Sequence, residues 1–198
     1  MLRLIMALSL LLTLAACGAA DNIWASDKAV AQASYRHPGP PTITLLTVIS
    51  NKTGAGAHSA LLISGSERVV FDPAGSWHHP NLPERHDVHY GMTDKAVDFY
   101  IDYHARVTYH MVQQDIVVSP QVAEMAIRAV ERYGAVPKTQ CGTAVSSILN
   151  SLPGFQSIST TMLPKKIMRQ FGALPGVTEQ KFFDNDPEEN GEILTRGI

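Results

Sequence analysis

The sequence predicts an α+β domain, and three observations carry that prediction. Thr42–Ser50 is a β-rich run bounded by prolines on one side and by the turn-like Asn51–Gly56 on the other. Next come His58–Ile63 and Glu67–Asp72, two short runs around Ser64-Gly65-Ser66, the signature of a β-hairpin with a glycine-containing loop. From Ser119 onward apolar residues recur at helical spacing. A strand, a hairpin and later helices of this kind imply an antiparallel sheet with helices packed on it.

The composition bounds the possibilities. The chain has 198 residues, with 16 Lys and Arg against 18 Asp and Glu, a net charge of -2 and 45% hydrophobic residues. A chain of this size buries enough surface to hold one core without disulfide or metal staples. Near-neutral charge and the lack of a Lys/Arg cluster exclude nucleic acid as an expected partner. Beyond the N-terminus apolar and polar residues are interspersed, which argues against disorder and against a polytopic membrane fold.

The N-terminus reads as an address. Arg3 precedes an apolar run, Leu4–Leu14, broken by Ser9 and Thr13. That run is too short for the ~20 residues of a spanning helix and has the layout of a secretory signal. It ends in Leu14-Ala15-Ala16-Cys17-Gly18, which resembles the lipobox of bacterial lipoproteins. The resemblance implies removal of residues 1–16 and acylation of Cys17, so that the lipid bilayer is the first expected partner. Two or three acyl chains anchor stably where one does not. Gly18 in place of an aspartate implies outer-membrane sorting, facing the periplasm. Residues 17–41, closing with Pro38-Gly39-Pro40-Pro41, read as a flexible tether. The folded domain is then expected over 42–175, followed by a loose acidic tail, 176–198.

Within the domain, Asp94–Tyr103 has helical spacing and Arg106–Val118 reads as one or two further strands. Ser119-Pro120 opens a helix bearing Val122, Met125, Ala126, Ala129, Val130 and Tyr133, and Gly134 ends it. A last helix spans Pro164–Phe171.

The chain contains two cysteines, and lipidation of Cys17 leaves Cys141 as the sole thiol. An unpaired thiol in an oxidising compartment must be buried or used. A small buried core residue is the plain explanation, but the surroundings point elsewhere. Val145, Ile148, Leu149 and Leu152 recur at helical spacing until Pro153-Gly154 stops them, which puts Cys141 in a first helical turn with Thr139 or Gln140 as N-cap. Unpaired N–H groups and the positive end of the helix dipole favour thiolate there. The same N–H groups are placed to donate to an oxyanion.

The hairpin supplies partners. A register that pairs Ile63 with Glu67 also pairs His58 with Asp72, and opposed residues share a face with Cβ atoms about 4.5–5.5 Å apart. Asp72 can then hold the imidazole of His58, which serves the thiol as a base. His78, His79, His86 and His89 fall in a proline-rich loop without the helical spacing or cysteine pair of a zinc site, so no metal or other cofactor is expected. Trp77 and Tyr90 in that loop, with Gln140 beside the thiol, are candidate contacts in a substrate cleft.

Ala57-His58-Ser59-Ala60-Leu61-Leu62-Ile63, Val69-Val70-Phe71-Asp72-Pro73-Ala74-Gly75 and Gln140-Cys141-Gly142-Thr143 together resemble the permuted papain-fold group. That group comprises circularly permuted NlpC-type amidases, lecithin:retinol acyltransferase-like enzymes and lipoprotein N-acyltransferase-like proteins. The resemblance runs from about Thr42 to Phe171 and rests on the order histidine, third member, cysteine. It implies a papain-like fold with Cys141 as nucleophile, His58 as base and Asp72 as orienter, the last a departure because relatives also use His, Glu or Asn. It implies a cysteine hydrolase, an amidase or peptidase of the cell envelope working through a thioester, with peptidoglycan stem peptide as substrate class. A thioester-forming acyltransferase acting on lipid or lipoprotein is the alternative enzyme, and a non-catalytic binding lipoprotein of the same fold is the alternative outside catalysis. The chain is expected to act as a monomer.

Overall fold

The computed structural model describes Ala20 and residues 22–189. The expected signal peptide, Cys17 and the end of the acidic tail lie outside the described residues. Among those described, no helix is long and apolar enough to cross a membrane.

The fold is α+β. Seven strands, β1 (Thr42–Ser50), β2 (Gly56–Ser64), β3 (Arg68–Phe71), β4 (Glu84–Arg85), β5 (Val88–Tyr90), β6 (Tyr109–Val117) and β7 (Thr178–Phe182), form one sheet in the order β4-β5-β3-β2-β1-β6-β7. Every pairing is antiparallel. The helices are α1 (Asp27–Ala33), α2 (Asp94–His104), α3 (Pro120–Tyr133), α4 (Cys141–Ser151) and α5 (Pro164–Gly172).

Because successive strand residues point to opposite faces, the central strands feed two cores. Ile43, Leu45, Leu61, Ile63, Val69 and Phe71 face one way and pack with Val130 of α3, Val145, Ile148 and Leu149 of α4, and Ile167 and Phe171 of α5. Leu46, Val48, Ala60, Leu62 and Val70 face the other way, where α2 covers them with Ala96, Val97, Phe99 and Tyr100. Strands buried on both faces read as the near-continuous apolar runs seen in β1 and β2.

The helix starts follow local chemistry. Thr93 caps α2 and Ser119 caps α3, each side chain accepting from the backbone N–H three residues on, and Pro120 opens α3 where its missing N–H costs nothing. The cysteine helix begins at Cys141 as expected, with Gln140 in the N-cap position.

Three expectations change. The β2–β3 loop sits one residue later than predicted, so Leu61 pairs with Phe71 and Ser64 with Arg68, and Asp72 would face Ala60 rather than His58. Glu67 therefore belongs to the loop, where its carbonyl accepts from Gly65 N–H at 2.9 Å. The stretch expected as a structureless tether carries α1 from residue 27. It docks on the β4 edge through an isolated Trp24–Arg85 bridge, a hydrogen bond from Arg85 to Asp27 and another from Arg68 N–H to Tyr35 O. In the tail, Thr178–Phe182 completes the far edge of the sheet as β7, because β6 otherwise leaves that edge unpaired.

Candidate active site

His58 lies near the start of β2, beside an irregularity. Val48 pairs with His58 but Ile49 pairs with Gly56, so Ala57 is an extra residue that bends the strand next to the histidine. Asp72 follows β3 directly, its N–H bonded to Asp87 O at 2.8 Å and its own carbonyl accepting from Gly75 N–H at 3.0 Å. The shifted register leaves the two residues diagonal rather than opposed, yet still on one face, and diagonal neighbours lie within reach of long side chains. The Nε2 of His58 meets Asp72 Oδ1 at 2.6 Å.

Two residues that the sequence reading did not single out complete this corner. Tyr100 of α2 donates its hydroxyl to the same Asp72 oxygen at 2.6 Å. One turn later, His104 Nδ1 pairs with Tyr100 O at 2.8 Å, and its ring lies 5.9 Å from that of His58 at an interplanar angle of 5°. The signal in the sequence was a tyrosine and a histidine four apart on the apolar face of a helix, but nothing local says which strand ends that face covers. Gly75 seals the carboxylate, since a Cβ there would lie 1.8 Å from Asp72 Oδ2.

Cys141 approaches from the other layer. The apolar face of α4 sits on β2, which brings the helix start to the His58–Ser59 step. The preceding Thr139 has φ of 73°, a conformation unfavourable for a β-branched residue, so the chain enters the helix through a strained turn. The N-cap residue Gln140 makes no side-chain capping bond to the first turn. Ser146 Oγ bonds Gly142 O at 2.7 Å and accepts from Thr161 N–H at 2.9 Å, tying the 159–163 loop to the turn that holds the thiol. That loop presses so closely on Gly142 that a Cβ would lie 2.5 Å from Met162 O.

The electrostatics are those of a charged triad. Burial works against the Cys141 thiolate, but a hydrogen bond and the charge of His58, with the backbone N–H groups of Ser59 and Gly142, outweigh it and lower the thiol pKa. Burial likewise opposes a charged His58, yet the Asp72 carboxylate and the Cys141 sulfur on its two sides raise its pKa well above the ordinary value. For Asp72, burial is overcome by the charge and hydrogen bond of His58, and the pKa falls far below the usual carboxylate range. His58 Nε2 is taken by Asp72, so Nδ1 is the nitrogen left for Cys141. His104 is different: burial outweighs the pull of Asp72 and depresses it to about 4, so it stacks on His58 as a neutral ring.

The structure thus brings Cys141, His58 and Asp72 together, and it removes two residues from the expected cleft. Trp77 is buried with its ring 5.0 Å from that of Tyr100, so it backs the site from behind. Tyr90 is buried in the core beneath α3, its hydroxyl donating to Glu131 at 3.1 Å, because β5 turns it toward the helical layer. Gln140 is half-buried beside the thiol.

Among the described residues, the potential metal-ligand groups are His58, Asp72 and His104, and Asp102, Asp184 and Asp186, each with ligand atoms within 4.8 Å of one another. The first is hydrogen-bonded within itself at 2.6 Å, closer than two ligands sharing one zinc through bonds of about 2.0–2.2 Å allow in a tetrahedron. The loop histidines His78, His79, His86 and His89 form no such group.

No family model, curated protein or solved structure matches this chain.

Proposed function

We propose that the protein is a cysteine hydrolase of permuted papain-like fold, anchored in the cell envelope through acylated Cys17 and cleaving an amide or acyl bond. The observation that carries this reading is a thiol at a helix start, close enough to His58 for each to shift the other's pKa, with that histidine held by a buried carboxylate at 2.6 Å. A binding module has no use for that arrangement, and burying three ionisable groups together is costly unless they do something.

The geometry supports one sequence of steps. The Cys141 thiolate attacks the carbonyl carbon, and the oxygen that becomes negative is received by N–H groups at the start of α4. The His58 imidazolium gives its proton to the leaving amine or alcohol as the C–N or C–O bond breaks, leaving a thioester. Neutral His58 then takes a proton from water, the hydroxide adds to the thioester, and the thiolate departs. Asp72 keeps the ring oriented and supports its charge throughout, and Tyr100 fixes Asp72. Peptidoglycan stem peptide is the substrate class that the resemblance to permuted NlpC-type amidases implies. The cleft beside His58, about 360 Å³ and half open, suits a peptide and a water acceptor better than a long acyl chain.

The test is alkylation of Cys141 by iodoacetamide as a function of pH, with the modified residue located by peptide mass spectrometry. The lowered thiol pKa predicts fast labelling well below the ~8.5 of a free thiol. In His58→Ala the acid limb should move to or above that value, because burial then acts on the thiol without its counter-charge. A thiol that labels slowly and identically in both proteins would show a structural cysteine. Release of peptide fragments from cell-wall sacculi by the wild type, and not by Cys141→Ala, tests the substrate class.

A further inference from the structure

The cleft that opens beside His58 has an uneven lining. Ala57, Ala74, Gly75 and Ser76 make a wall of small residues, while Tyr103, Arg106, Tyr109 and Lys138 stand on other sides. The two cations are the notable members, because among the described residues no carboxylate lines the cleft: Asp72 sits behind the ring of His58, sealed by Gly75.

Arg106 is held in place by its neighbours. Its guanidinium carbon lies 5.6 Å from the Tyr103 ring centre and 5.8 Å from that of Tyr109. One terminal nitrogen donates to the backbone carbonyl of Glu188 at 2.7 Å, and Nε is buried with no partner. A buried donor left unbonded is costly, and a fixed planar cation in a partly desolvated wall is the usual means of receiving a carboxylate. Lys138 approaches from the loop that leads into Cys141, so the charges flank the cleft from the sheet side and from the nucleophile side.

We propose that Arg106 and Lys138 make this cleft an anion subsite, and that the substrate is a peptide carrying a free carboxylate close to the bond being cut. This deepens the hydrolase reading and rests on it. The small wall limits the accompanying side chain to a compact one, and the volume of about 360 Å³ holds a residue or two rather than a lipid tail.

The experiment compares two alkylating agents of nearly equal shape, neutral iodoacetamide and anionic iodoacetate, on the purified full-length chain, with Cys141 labelling read by peptide mass spectrometry. The ratio of the iodoacetate rate to the iodoacetamide rate is referred to the same ratio for glutathione. Because each ratio is normalised within one protein, a general loss of thiol activation does not mimic loss of the subsite. The wild-type ratio should exceed the reference at low salt and fall as salt is added. Arg106→Gln and Lys138→Gln should each lower it by about twofold, the factor expected for a charge ~10 Å away in a mostly aqueous dielectric, while Arg106→Lys retains most of it. Lys138 is exposed, so its substitution does not threaten the fold. A thiol inert to iodoacetamide in the wild type overturns the nucleophile reading itself. A reactive thiol whose ratio is unchanged in both Gln variants overturns the anion subsite alone. Finally, peptides with a free carboxylate should be cleaved faster than their amidated forms by the wild type, and by a smaller margin in Arg106→Gln; preference for phospholipid vesicles over either peptide would also overturn the proposal.

Discussion

Asp72 Oδ1 receives two donors at 2.6 Å, from His58 and from Tyr100, and is shut away from solvent beneath Gly75. A carboxylate in that setting stays ionised only because its neighbours favour the charge. Asp72→Asn removes the negative charge that raises His58 against its burial, so the alkaline limb of the activity profile, where His58 loses its proton, should shift to lower pH. The acid limb should rise at the same time, because the thiolate loses a charged partner, and a bell narrowed from both sides is the expected kcat/KM profile. Tyr100→Phe leaves the charge and removes one donor. A cost of about 1–3 kcal/mol in stability is expected from the unmet hydrogen bond, read by urea unfolding, with a smaller narrowing of the profile. Asp72 also ties stability to pH in a definite direction. Its folded pKa lies below its unfolded one, so its contribution is complete above about pH 4 and is lost as pH falls through the folded value. Asp72→Asn should therefore unfold with a shallower dependence on pH in the acid range than the wild type.

At the scale of elements, the thiol depends on how closely the 159–163 loop can lie against α4. Gly142→Ala would put a methyl group into the Met162 backbone, so either the loop or the first turn must move. The expected result is a destabilisation of about 1–3 kcal/mol, as for overpacking elsewhere, together with a fall in the Cys141 alkylation rate; an unchanged rate would mean that the loop alone yields. The same scale shows why so much of this site was legible. The helix bearing Cys141 announced itself through its apolar spacing and its Pro-Gly stop. The His58–Asp72 pairing survived an error in the hairpin because moving the loop by one residue shifts each pairing by two positions, and a shift of two keeps a side chain on its face. Tyr100 and His104 were invisible for the opposite reason. Their helix was legible, but its position over the far face of the sheet depends on long-range packing that no local pattern encodes. Trp77 and Tyr90 looked like cleft residues because a histidine- and proline-rich loop resembles a solvent-facing one. In fact Val88–Tyr90 pairs with β3 and is drawn into the sheet.

For the molecule as a whole, the docking of the N-terminal segment changes how the body would sit relative to an anchor. With residues 22–41 held against the β4 edge by α1, Trp24 and Tyr35, only five peptide steps separate Cys17 from Asn22, a span of at most ~18 Å. If Cys17 is acylated as proposed, a body on so short a leash would ride close to the bilayer, whereas a free tether from 17 to 41 would let it range several times further. The docking is also a stability statement. Deleting residues 1–41 removes the Arg85–Asp27 ion pair, the backbone bonds from Ala25 to Glu84 and from Arg68 to Tyr35, and the Ala33 contact that covers Gly91. It also uncovers the short β4 strand at the sheet edge. The exposed ion pair adds little, but these backbone bonds, with those from His86 to Ile23 and from Val118 to Pro41, and the covered edge are together expected to contribute about 1–3 kcal/mol. For a body of this size that corresponds to a fall of roughly 2–12 °C in Tm. Thermal unfolding of the intact chain and of the 42–198 fragment, followed by circular dichroism, reads this directly. A fall in that range makes residues 22–41 part of the folded unit. Equal midpoints would mean that the segment rests on the sheet without stabilising it, and would restore the long, freely ranging tether.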